Sequence, residues 1–261
     1  MTTAVECHPT AVLYDGAEIG VGVKIGPYAV IRGTARVGDH SEIGAFAIVD
    51  EYVTLGSGNR LFPHACVGSE PQDMKFGGEV SYLEAGNDNV FREFVTVNRG
   101  TSGGGGITRV GSGNLIMAYT HIAHDCQIGD HTIFGNSATL AGHVEVQDFA
   151  IVNAFAGIQQ FVRVGAHAYL AAFSGITKDV VPFARVHGNH AHVLGLNSVG
   201  IRRRGFSREA RRQLKTAFRL LFREHLNTSQ ALEAIAAAGL DEPEARFLVS
   251  FIESSRLGIV K

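Results

Sequence analysis

One stretch of the chain concentrates side chains that can move protons or bind a metal. Residues 119–126 read Tyr-Thr-His-Ile-Ala-His-Asp-Cys, so His121 and His124 lie close together and Asp125 follows His124 directly. An imidazole can act as a general base, and a neighbouring carboxylate can orient its ring. The same side chains can also ligate a divalent metal. The choice between these chemistries depends on what the fold places opposite His124.

The elements that must position these residues follow a repeat of six. Aliphatic residues, with one Phe, recur at every sixth position in two runs: Leu13, Ile19, Ile25, Ile31, Val37, Ile43, Val49, Leu55, Leu61 and Val67, then Val110, Ile116, Ile122, Ile128, Phe134, Leu140, Val146, Val152, Ile158, Val164, Leu170 and Ile176. A helix repeats at about 3.6 residues and a strand at about 2, so this period indicates a coil of short strands. We predict an all-β, left-handed, triangular parallel β-helix of hexapeptide repeats. The Gly that follows many of the aliphatic residues is expected to provide the backbone angles of the corners.

This repeat predicts which residues stack. Three hexads close one coil, so residues about 18 apart lie one above the other at about 4.8 Å. Counting from His124 leads to Gly142 and then Gln160, and counting from Asp125 leads to His143. Gly142 leaves open space and an approachable backbone N–H beside the imidazole. A general base next to an oxyanion donor suits acyl transfer.

Two other classes of protein fit the same repeats. Imidazoles from neighbouring subunits can form a zinc site with an open position, as in metal-dependent trimeric β-helix enzymes of the γ-carbonic-anhydrase kind. A trimeric scaffold without activity would keep the hexads, but it would not need His124 opposite Gly142. For His121 and His143, a substrate contact and a metal ligand look alike. We interpret the following histidines as surface groups: His8, His40, His64, His131 and His167.

Interruptions of the period divide the chain. Residues 68–89 and 101–106 break the hexads, so both are predicted to loop out of the prism. We expect the β-helix to span residues 1–190, and a linker with a small α-helical C-terminal domain to span residues 191–261. The Gly-rich run in the second interruption is not a phosphate loop, because it lacks the Lys-Ser/Thr end and a following helix.

The C-terminal part has the pattern of three helices. Apolar residues recur at helical spacing over 207–225, a second helix is expected over 228–238, and a third extends to about Ser254. The sequence at 241–244, Asp-Glu-Pro-Glu, has the form of a capping box for the third helix.

Charge is concentrated on the first of these helices. Residues 202–225 contain nine Lys or Arg against two Asp or Glu, in a chain whose net charge is −2. On the helix itself the basic residues recur every three or four positions and form a stripe: Arg208, Arg211, Arg212, Lys215, Arg219 and Arg223. Such an imbalance favours an acidic partner. No aromatic residues interleave the stripe, so nucleic acid is not the expected partner.

Composition limits the compartment. No apolar run reaches the ~18 residues that indicate a transmembrane helix, and residues 1–6 lack the features of a signal peptide. The cysteines, Cys7, Cys66 and Cys126, are scattered and odd in number, so a disulfide framework is not expected. We expect a cytoplasmic protein.

Several strings also carry a family resemblance, and together they cover nearly the whole chain. They are His8-Pro-Thr-Ala11, Pro71-Gln-Asp-Met-Lys-Phe76, Asn98-Arg-Gly-Thr101, Met117–Cys126, Asn136–His143, Gly188-Asn-His190 and Leu196–Phe206. The chain resembles the bacterial UDP-N-acetylglucosamine O-acyltransferases, which begin lipid A synthesis. The resemblance implies a homotrimer with sites between parallel prisms, and no cofactor or metal. It also implies transfer of a 3-hydroxyacyl group from acyl carrier protein, which is acidic, to the glucosamine 3-hydroxyl of UDP-N-acetylglucosamine.

The resemblance also implies roles for individual residues. His124 corresponds to the general base, Asp125 to its orienting partner and the Gly142 backbone to the oxyanion donor. Positions that hold the nucleotide sugar or the acyl donor correspond to Asp73, Lys75, His121, His143, Gln160, Asn197 and Arg204. The family usually has His-Gln where this chain has Gln159-Gln160, so we expect a weaker phosphate contact there. The related N-acyltransferases carry a further N-terminal domain, whereas the repeats of this chain begin by residue 13.

One position is expected to influence acyl length. Ala172 corresponds to a residue near the far end of the acyl cleft, and repeat counting places it about 13 Å beyond His124 along the prism axis. That height suits a chain of about ten to fourteen carbons. Relatives with longer chains often have Gly here, so the methyl group of Ala172 should shorten the preferred chain slightly. The alternative is that Ala172 is only a small corner residue.

Overall fold

The computed structural model describes residues 4–261, so the first three residues of the span predicted as β-helix lie outside the described residues. Its strands are β1 (Glu6–Cys7), β2 (Val12–Leu13), β3 (Glu18–Ile19), β4 (Lys24–Ile25), β5 (Val30–Ile31), β6 (Arg36–Val37), β7 (Glu42–Ile43), β8 (Ile48–Val49), β9 (Val53–Leu55), β10 (Arg60–Leu61), β11 (Cys66–Ser69), β12 (Tyr82–Ala85), β13 (Val90–Phe91), β14 (Thr96–Asn98), β15 (Ile107–Val110), β16 (Leu115–Ile116), β17 (His121–Ile122), β18 (Gln127–Ile128), β19 (Ile133–Phe134), β20 (Thr139–Leu140), β21 (Glu145–Val146), β22 (Ile151–Val152), β23 (Gly157–Ile158), β24 (Arg163–Val164), β25 (Tyr169–Leu170), β26 (Gly175–Ile176), β27 (Ala184–His187) and β28 (His192–Leu196).

These strands form three parallel sheets, the faces of a triangular prism. Sheet A has the order β1-β4-β7-β10-β13-β16-β19-β22-β25-β27-β28, sheet B the order β2-β5-β8-β11-β14-β17-β20-β23-β26, and sheet C the order β24-β21-β18-β15-β12-β9-β6-β3. Successive strands along the chain therefore belong to different sheets. All pairs are parallel except β27 with β28. The predicted left-handed β-helix is confirmed.

The hexad residues form the core. Ile122 pairs with Leu140 and Leu140 with Ile158, so the register is 18 residues here. These three side chains are at most 3% exposed. Fully burying an aliphatic side chain contributes about 1.5–3 kcal/mol, which explains why a strand of only two residues can persist when it is repeated in every coil.

The expected reason for the glycines was wrong. Gly38 and Gly44 directly follow an inward aliphatic residue, and neither has a positive φ. A Cβ at Gly38 would lie 2.5 Å from the carbonyl carbon of Gly56, and one at Gly44 would lie 2.6 Å from the Leu61 oxygen. Glycine is therefore required there because the next coil approaches too closely for a side chain. The left-handed corner positions are occupied mostly by other residue types, including Asp125 with a φ of 61°.

The turns from sheet B into sheet C define one edge of the prism, here called the B/C edge. Both interruptions of the repeat leave the prism at this edge. The first spans 70–81, between β11 and β12, and the second spans 101–106, between β14 and β15. The first is shorter than the predicted 68–89, because Tyr82–Ala85 returns to sheet C and pairs with β9 and β15. The second contains a short 3-10 helix at Ser102–Gly104.

The chain ends in helices that pack beside the last coils. They are α1 (Ser198–Arg203), α2 (Arg208–Phe222), α3 (Thr228–Ala237) and α4 (Pro243–Glu253). The three predicted helices are confirmed. Helix α1 is an additional element, and β28 lies in the stretch predicted as the linker. The described residues contain no helix that is both long and apolar enough to cross a membrane.

The predicted capping box was assigned to the wrong helix. Helix α4 has Glu242 at its N-cap without a side-chain capping bond, and Pro243 begins it. The capping box lies at α3 instead, where Asn227 and Gln230 exchange side-chain and backbone hydrogen bonds. Pro has a preset φ and lacks the N–H that would be unpaired in a first turn, so α4 can begin without a cap.

Candidate active site

The candidate site is a cavity of about 730 Å³ along the B/C edge. Turns from successive coils and the first excursion line it: Gln72, Asp73, Lys75, His121, Ala123, His124, Thr139, Leu140, Ala141, Gly142, His143, Gly157, Ile158, Gln160 and Phe161. Seven of the sequence-predicted residues are therefore brought together: Asp73, Lys75, His121, His124, Gly142, His143 and Gln160. Asp125 lies directly behind His124.

His124 and Asp125 form a tight hydrogen-bonded pair. The Nδ1 of His124 lies 2.7 Å from Oδ2 of Asp125. The carboxylate accepts, so Nδ1 carries the proton and Nε2 keeps its lone pair. The His124 side chain is 13% exposed, and that of Asp125 is fully buried. The ring is therefore held in one orientation with its basic nitrogen available to the cavity.

Asp125 is held by residues that the sequence reasoning missed. The backbone N–H of Thr101 donates to Oδ1 at 2.9 Å, and the Thr101 hydroxyl donates to Oδ2 at 2.7 Å. The backbone N–H of Asp125 donates to the Thr108 hydroxyl at 2.7 Å. Thr101 ends the string Asn98-Arg-Gly-Thr101, which the resemblance contained but to which no role had been given. That string was the available signal.

Gly142 lies against the face of the imidazole. A Cβ at this position would be 2.6 Å from Cε1 and 2.8 Å from Nε2 of His124. Its carbonyl accepts a hydrogen bond from the N–H of Phe161. Its own N–H donates to no acceptor among residues 4–261. The Gly142 backbone, with an N–H that is available to a ligand, therefore lies next to the basic nitrogen of His124.

Two further histidines are neutral near pH 7. Burial and the neighbouring His124 lower the pKa of His121, whose Nδ1 lies 2.8 Å from the Thr96 hydroxyl. Burial also lowers the pKa of His143, although the Asp125 charge opposes this effect. The His143 ring stacks on Phe161 with centroids 4.5 Å apart and meets His124 edge-on at 5.1 Å. Both imidazoles can therefore donate or accept hydrogen bonds as uncharged groups.

A metal does not fit this cluster well. Among the described residues, His124, Asp125 and His143 offer ligand atoms within 4.8 Å of one another. However, Asp125 already accepts two bonds from Thr101 and one from His124, and its side chain has no exposed surface. A metal would have to replace bonds that bury and orient this carboxylate. The geometry favours a base over a metal centre.

Three predicted site residues lie elsewhere on the chain. Asn197 caps α1 and donates to the His167 carbonyl oxygen at 3.0 Å. The Arg204 guanidinium lies 4.1 Å from the centroid of the Phe149 ring. His167 and Phe149 belong to the edge between sheets C and A, so Asn197 and Arg204 lie away from His124. Ala172 lies in the turn from sheet A into β26.

A shallow track connects the level of His124 with that of Ala172. The outward positions of sheet B run in register from His121 to Thr139, Gly157 and Gly175. The outward side chains along this column therefore decrease in size from His to Gly over three coil steps, about 14 Å. A Cβ at Gly157 would meet nothing within 4 Å, whereas one at Gly175 would lie 2.3 Å from the Asn189 side-chain oxygen. The track is open at Gly157 and closes at Asn189.

Family models match both parts of the chain. The model described as Udp N-acetylglucosamine O-acyltransferase, Domain 2, matches residues 179–260. The model described as Bacterial transferase hexapeptide (six repeats) matches residues 16–51 and 107–142.

Whole-chain relatives agree with these models. The acyl-(acyl-carrier-protein)–UDP-N-acetylglucosamine O-acyltransferase of Alkalilimnicola ehrlichii is 49% identical over 97% of this chain and 98% of its own. LpxA from Acinetobacter baumannii matches with a TM-score of 0.95 and 38% identity, over 98% of this chain and 99% of its own. The UDP-N-acetylglucosamine O-acyltransferase (LpxA) of Moraxella catarrhalis matches with a TM-score of 0.93 and 36% identity, over the same shares.

Proposed function

We propose, from the premise that this chain belongs to the UDP-N-acetylglucosamine O-acyltransferase family, that His124 is the general base of its reaction. The enzyme transfers an acyl group from acyl carrier protein to UDP-N-acetylglucosamine, the first step of lipid A biosynthesis. In our proposal the acyl group is a 3-hydroxyacyl chain and the acceptor is the glucosamine 3-hydroxyl.

Each group at the B/C edge then has one task. Nε2 of His124 accepts the proton of the 3-hydroxyl while that oxygen attacks the thioester carbonyl. The negative charge that develops on the carbonyl oxygen is stabilised by the Gly142 N–H. The intermediate collapses, the carrier thiolate leaves, and Nε2 returns the proton to the sulfur. Asp125 keeps the ring in the required tautomer and stabilises its charged form.

The observation that carries this proposal is the His124–Asp125 pair beside the Gly142 backbone, whose N–H has no acceptor among the described residues. His124→Ala should lower kcat by about 10²–10⁴-fold, the usual contribution of a general base. The control is His40→Asn, at an exposed corner with a φ of 57°, which Asn tolerates. Thermal unfolding of both variants should match the parent. A kcat of His124→Ala equal to that of the parent would refute the assignment of His124 as the general base.

Asp73, Lys75, His121, His143 and Gln160 are proposed to bind the substrates. They line the same cavity as His124. The excursion that carries Asp73 and Lys75 adds one negative and one positive side chain to a wall whose other polar side chains are imidazoles, amides and a hydroxyl. Among the described residues that line this cavity, Lys75 is the one Lys or Arg, and we expect it to contribute a phosphate contact.

We propose a homotrimer whose sites are completed between subunits. The support is the separation of Asn197 and Arg204 from His124 on one chain, at a different edge of the prism. A second parallel prism could bring that edge to the B/C edge of the first. Mixing His124→Ala chains with Arg204→Ala chains tests this arrangement. Random mixed trimers should recover roughly a quarter of wild-type activity, because each site needs an intact residue from each of two adjacent chains. A mixture no more active than its components would contradict shared sites.

The basic stripe on α2 is proposed as the docking surface for acyl carrier protein. Arg208, Arg212 and Lys215 are exposed, while the opposite face of α2 buries Leu214 and Phe218. Arg212 also pairs with Glu209. The basic face of α2 is therefore exposed to solvent and positively charged, and the packing of the opposite face holds it in place.

The track along sheet B is proposed to seat the acyl chain. Its open floor at Gly157 and its closed end at Asn189 suit an apolar chain of limited length. Ala172 is half-buried in the turn that precedes the last strand of the track. A change in its size is therefore proposed to alter the room at the far end.

A cytoplasmic location is also proposed. The thiols of Cys7, Cys66 and Cys126 are all free. Burial raises the pKa of Cys126 to about 12, and the negative charge of the neighbouring Asp125 acts in the same direction, so this thiol stays protonated. A reducing compartment suits three unpaired thiols.

A further inference from the structure

We propose that the excursion 101–106 is a clamp in which Thr101 and Gly104 are positioning residues for the catalytic pair. This inference rests on the proposed role of His124 as base. It assigns a purpose to a segment that would otherwise be only an irregular corner between β14 and β15.

Thr101 supplies two of the three hydrogen bonds that the Asp125 carboxylate receives from neighbouring groups. Its N–H fixes Oδ1 at 2.9 Å, and its hydroxyl fixes Oδ2 at 2.7 Å. The third bond comes from the His124 ring at the same Oδ2. Because one residue binds both oxygens, it sets the plane of the carboxylate, and that plane sets the direction of the imidazole. Thr101 is itself only 6% exposed.

Gly104 covers the same carboxylate from outside. A Cβ at Gly104 would lie 2.1 Å from both Cγ and Oδ2 of Asp125 and 2.4 Å from Oδ1. The backbone of the excursion thus touches the carboxylate so closely that no side chain fits, and water is kept from it. The adjacent Gly103 differs, because a Cβ there would meet nothing within 4 Å. Neither glycine has a positive φ, so alanine is compatible with both backbones.

The clamp is itself held by bonds within its own backbone and by bonds to the first excursion. The N–H groups of Gly104 and Gly106 both donate to the Thr101 carbonyl oxygen, at 3.0 and 2.7 Å. The N–H and hydroxyl of Ser102 donate to Glu79, at the end of the first excursion. Backbone N–H groups of Glu79 itself, Ser102 and Gly77 lower the pKa of the Glu79 carboxyl to about 2, so it is an ionised acceptor at neutral pH. The excursion therefore has little freedom to move away from Asp125.

A clamp and a simple corner make different predictions. If the excursion only fills a corner, substitutions in it should change the thermal stability and leave kcat alone. If it positions the pair, the loss should appear in kcat, with the KM for UDP-N-acetylglucosamine and the unfolding temperature nearly unchanged. Two matched pairs of variants separate these outcomes.

The first pair changes the hydroxyl of Thr101. Thr101→Val keeps the shape and the N–H but removes the donor, and we expect kcat to fall about tenfold, as for a lost hydrogen bond to a charged group. Thr101→Ser restores the hydroxyl and should remain close to the parent. The second pair changes one methyl group. Gly104→Ala should lower kcat by about 10- to 100-fold through displacement of Asp125, and Gly103→Ala should not change it.

The controls also distinguish this inference from the role of His124. If His124→Ala is inactive while Thr101→Val and Gly104→Ala retain the parental kcat, the clamp is refuted and the base assignment stands. If His124→Ala is active, the base assignment itself fails. Equal losses in Thr101→Val and Thr101→Ser would also refute the clamp, since the hydroxyl would not be the cause. If Gly104→Ala does not fold, the Thr101 pair alone decides.

Discussion

Placing a methyl group at position 142 should test the active-site geometry with a very small change. Gly142→Ala keeps the backbone N–H that is proposed to stabilise the oxyanion. Its new Cβ would lie 2.6 Å from Cε1 and 2.8 Å from Nε2 of His124. Non-bonded carbon atoms prefer a separation of about 3.5–4.0 Å, so the ring must retreat by about 1 Å. Because Asp125 holds the ring at 2.7 Å, this retreat strains or breaks that hydrogen bond.

The expected loss follows from this displacement. A misplacement of about 1 Å can lower a rate by about 10²-fold. We therefore expect the kcat of Gly142→Ala to fall by about two orders of magnitude, with the fold intact because the position lies at the surface of the cavity. Initial rates at saturating UDP-N-acetylglucosamine and acyl carrier protein substrate measure this effect. Thermal unfolding checks the fold.

A control and a double variant make the reasoning refutable. Gly103→Ala adds the same methyl group outside the cavity lining and meets nothing within 4 Å, so it should leave kcat nearly unchanged. In a His124→Ala background, Gly142→Ala should cost little more, because the ring it displaces is gone. A Gly142→Ala enzyme with kcat within about twofold of the parent would refute the displacement. Full additivity of the two losses would do the same.

Three further changes test other parts of the molecule. Triple charge reversal of the exposed stripe should raise the KM for the acyl carrier protein substrate and leave that for the sugar nucleotide alone; the residues are Arg208, Arg212 and Lys215. In the parent, added salt should weaken binding of the acyl carrier protein substrate, since exposed charges are screened over about 8 Å at physiological ionic strength. If the charge reversal changes the KM of both substrates equally, the stripe is not the docking surface. Ala172→Gly and Ala172→Met should move the preferred acyl length in opposite directions, longer and shorter, in assays with carrier proteins of several chain lengths; an unchanged preference in both would leave Ala172 a corner residue. Burial and the nearby Arg204 lower the pKa of His167 from 6.5 to about 4. Because the unfolded chain takes up the proton first, the free energy of unfolding falls as the pH drops from 6.5 to about 4. His167→Phe should reduce this loss in the unfolding temperature, and an unchanged pH dependence would show that another group causes it.

The sequence predicted the part of the site that obeys the repeat. The stacking of His124, Gly142 and Gln160 follows from an 18-residue register, and that register depends only on the inward aliphatic residues. The pairing of His121 with Thr139 shows it directly. Any residue of a regular coil can be placed in this way, because the prism repeats the same three edges.

Counting in units of 18 residues could not predict contacts between residues that are separated by an excursion. Thr96 pairs with His121, 25 residues away, because the second excursion adds residues to that coil. Thr101 therefore reaches Asp125 across 24 residues, not across the 18 residues of a regular coil. Its contact depends on the path of an irregular segment, and no periodicity encodes that path.

Two errors had a common physical origin. Gly38 was expected to serve its own backbone angles, and residues 241–244 were expected to cap their own helix. The constraint on Gly38 comes from Gly56, one coil away, and α4 begins at Pro243 without a side-chain cap. Local sequence revealed neither the contact from the next coil at Gly38 nor the start of α4 at Pro243.

The parallel stacking described above also limits how far a disturbance can spread. Each strand inside sheet B pairs only with the strands of the preceding and following coils. Four such steps, about 19 Å, separate β5 from β17. Stability in such a stack is approximately a sum of local terms, so an amide in an early coil can exchange with solvent while His124 and Asp125 stay in place. The B/C edge can thus accept new loops, as it has accepted two, without altering the architecture of distant coils.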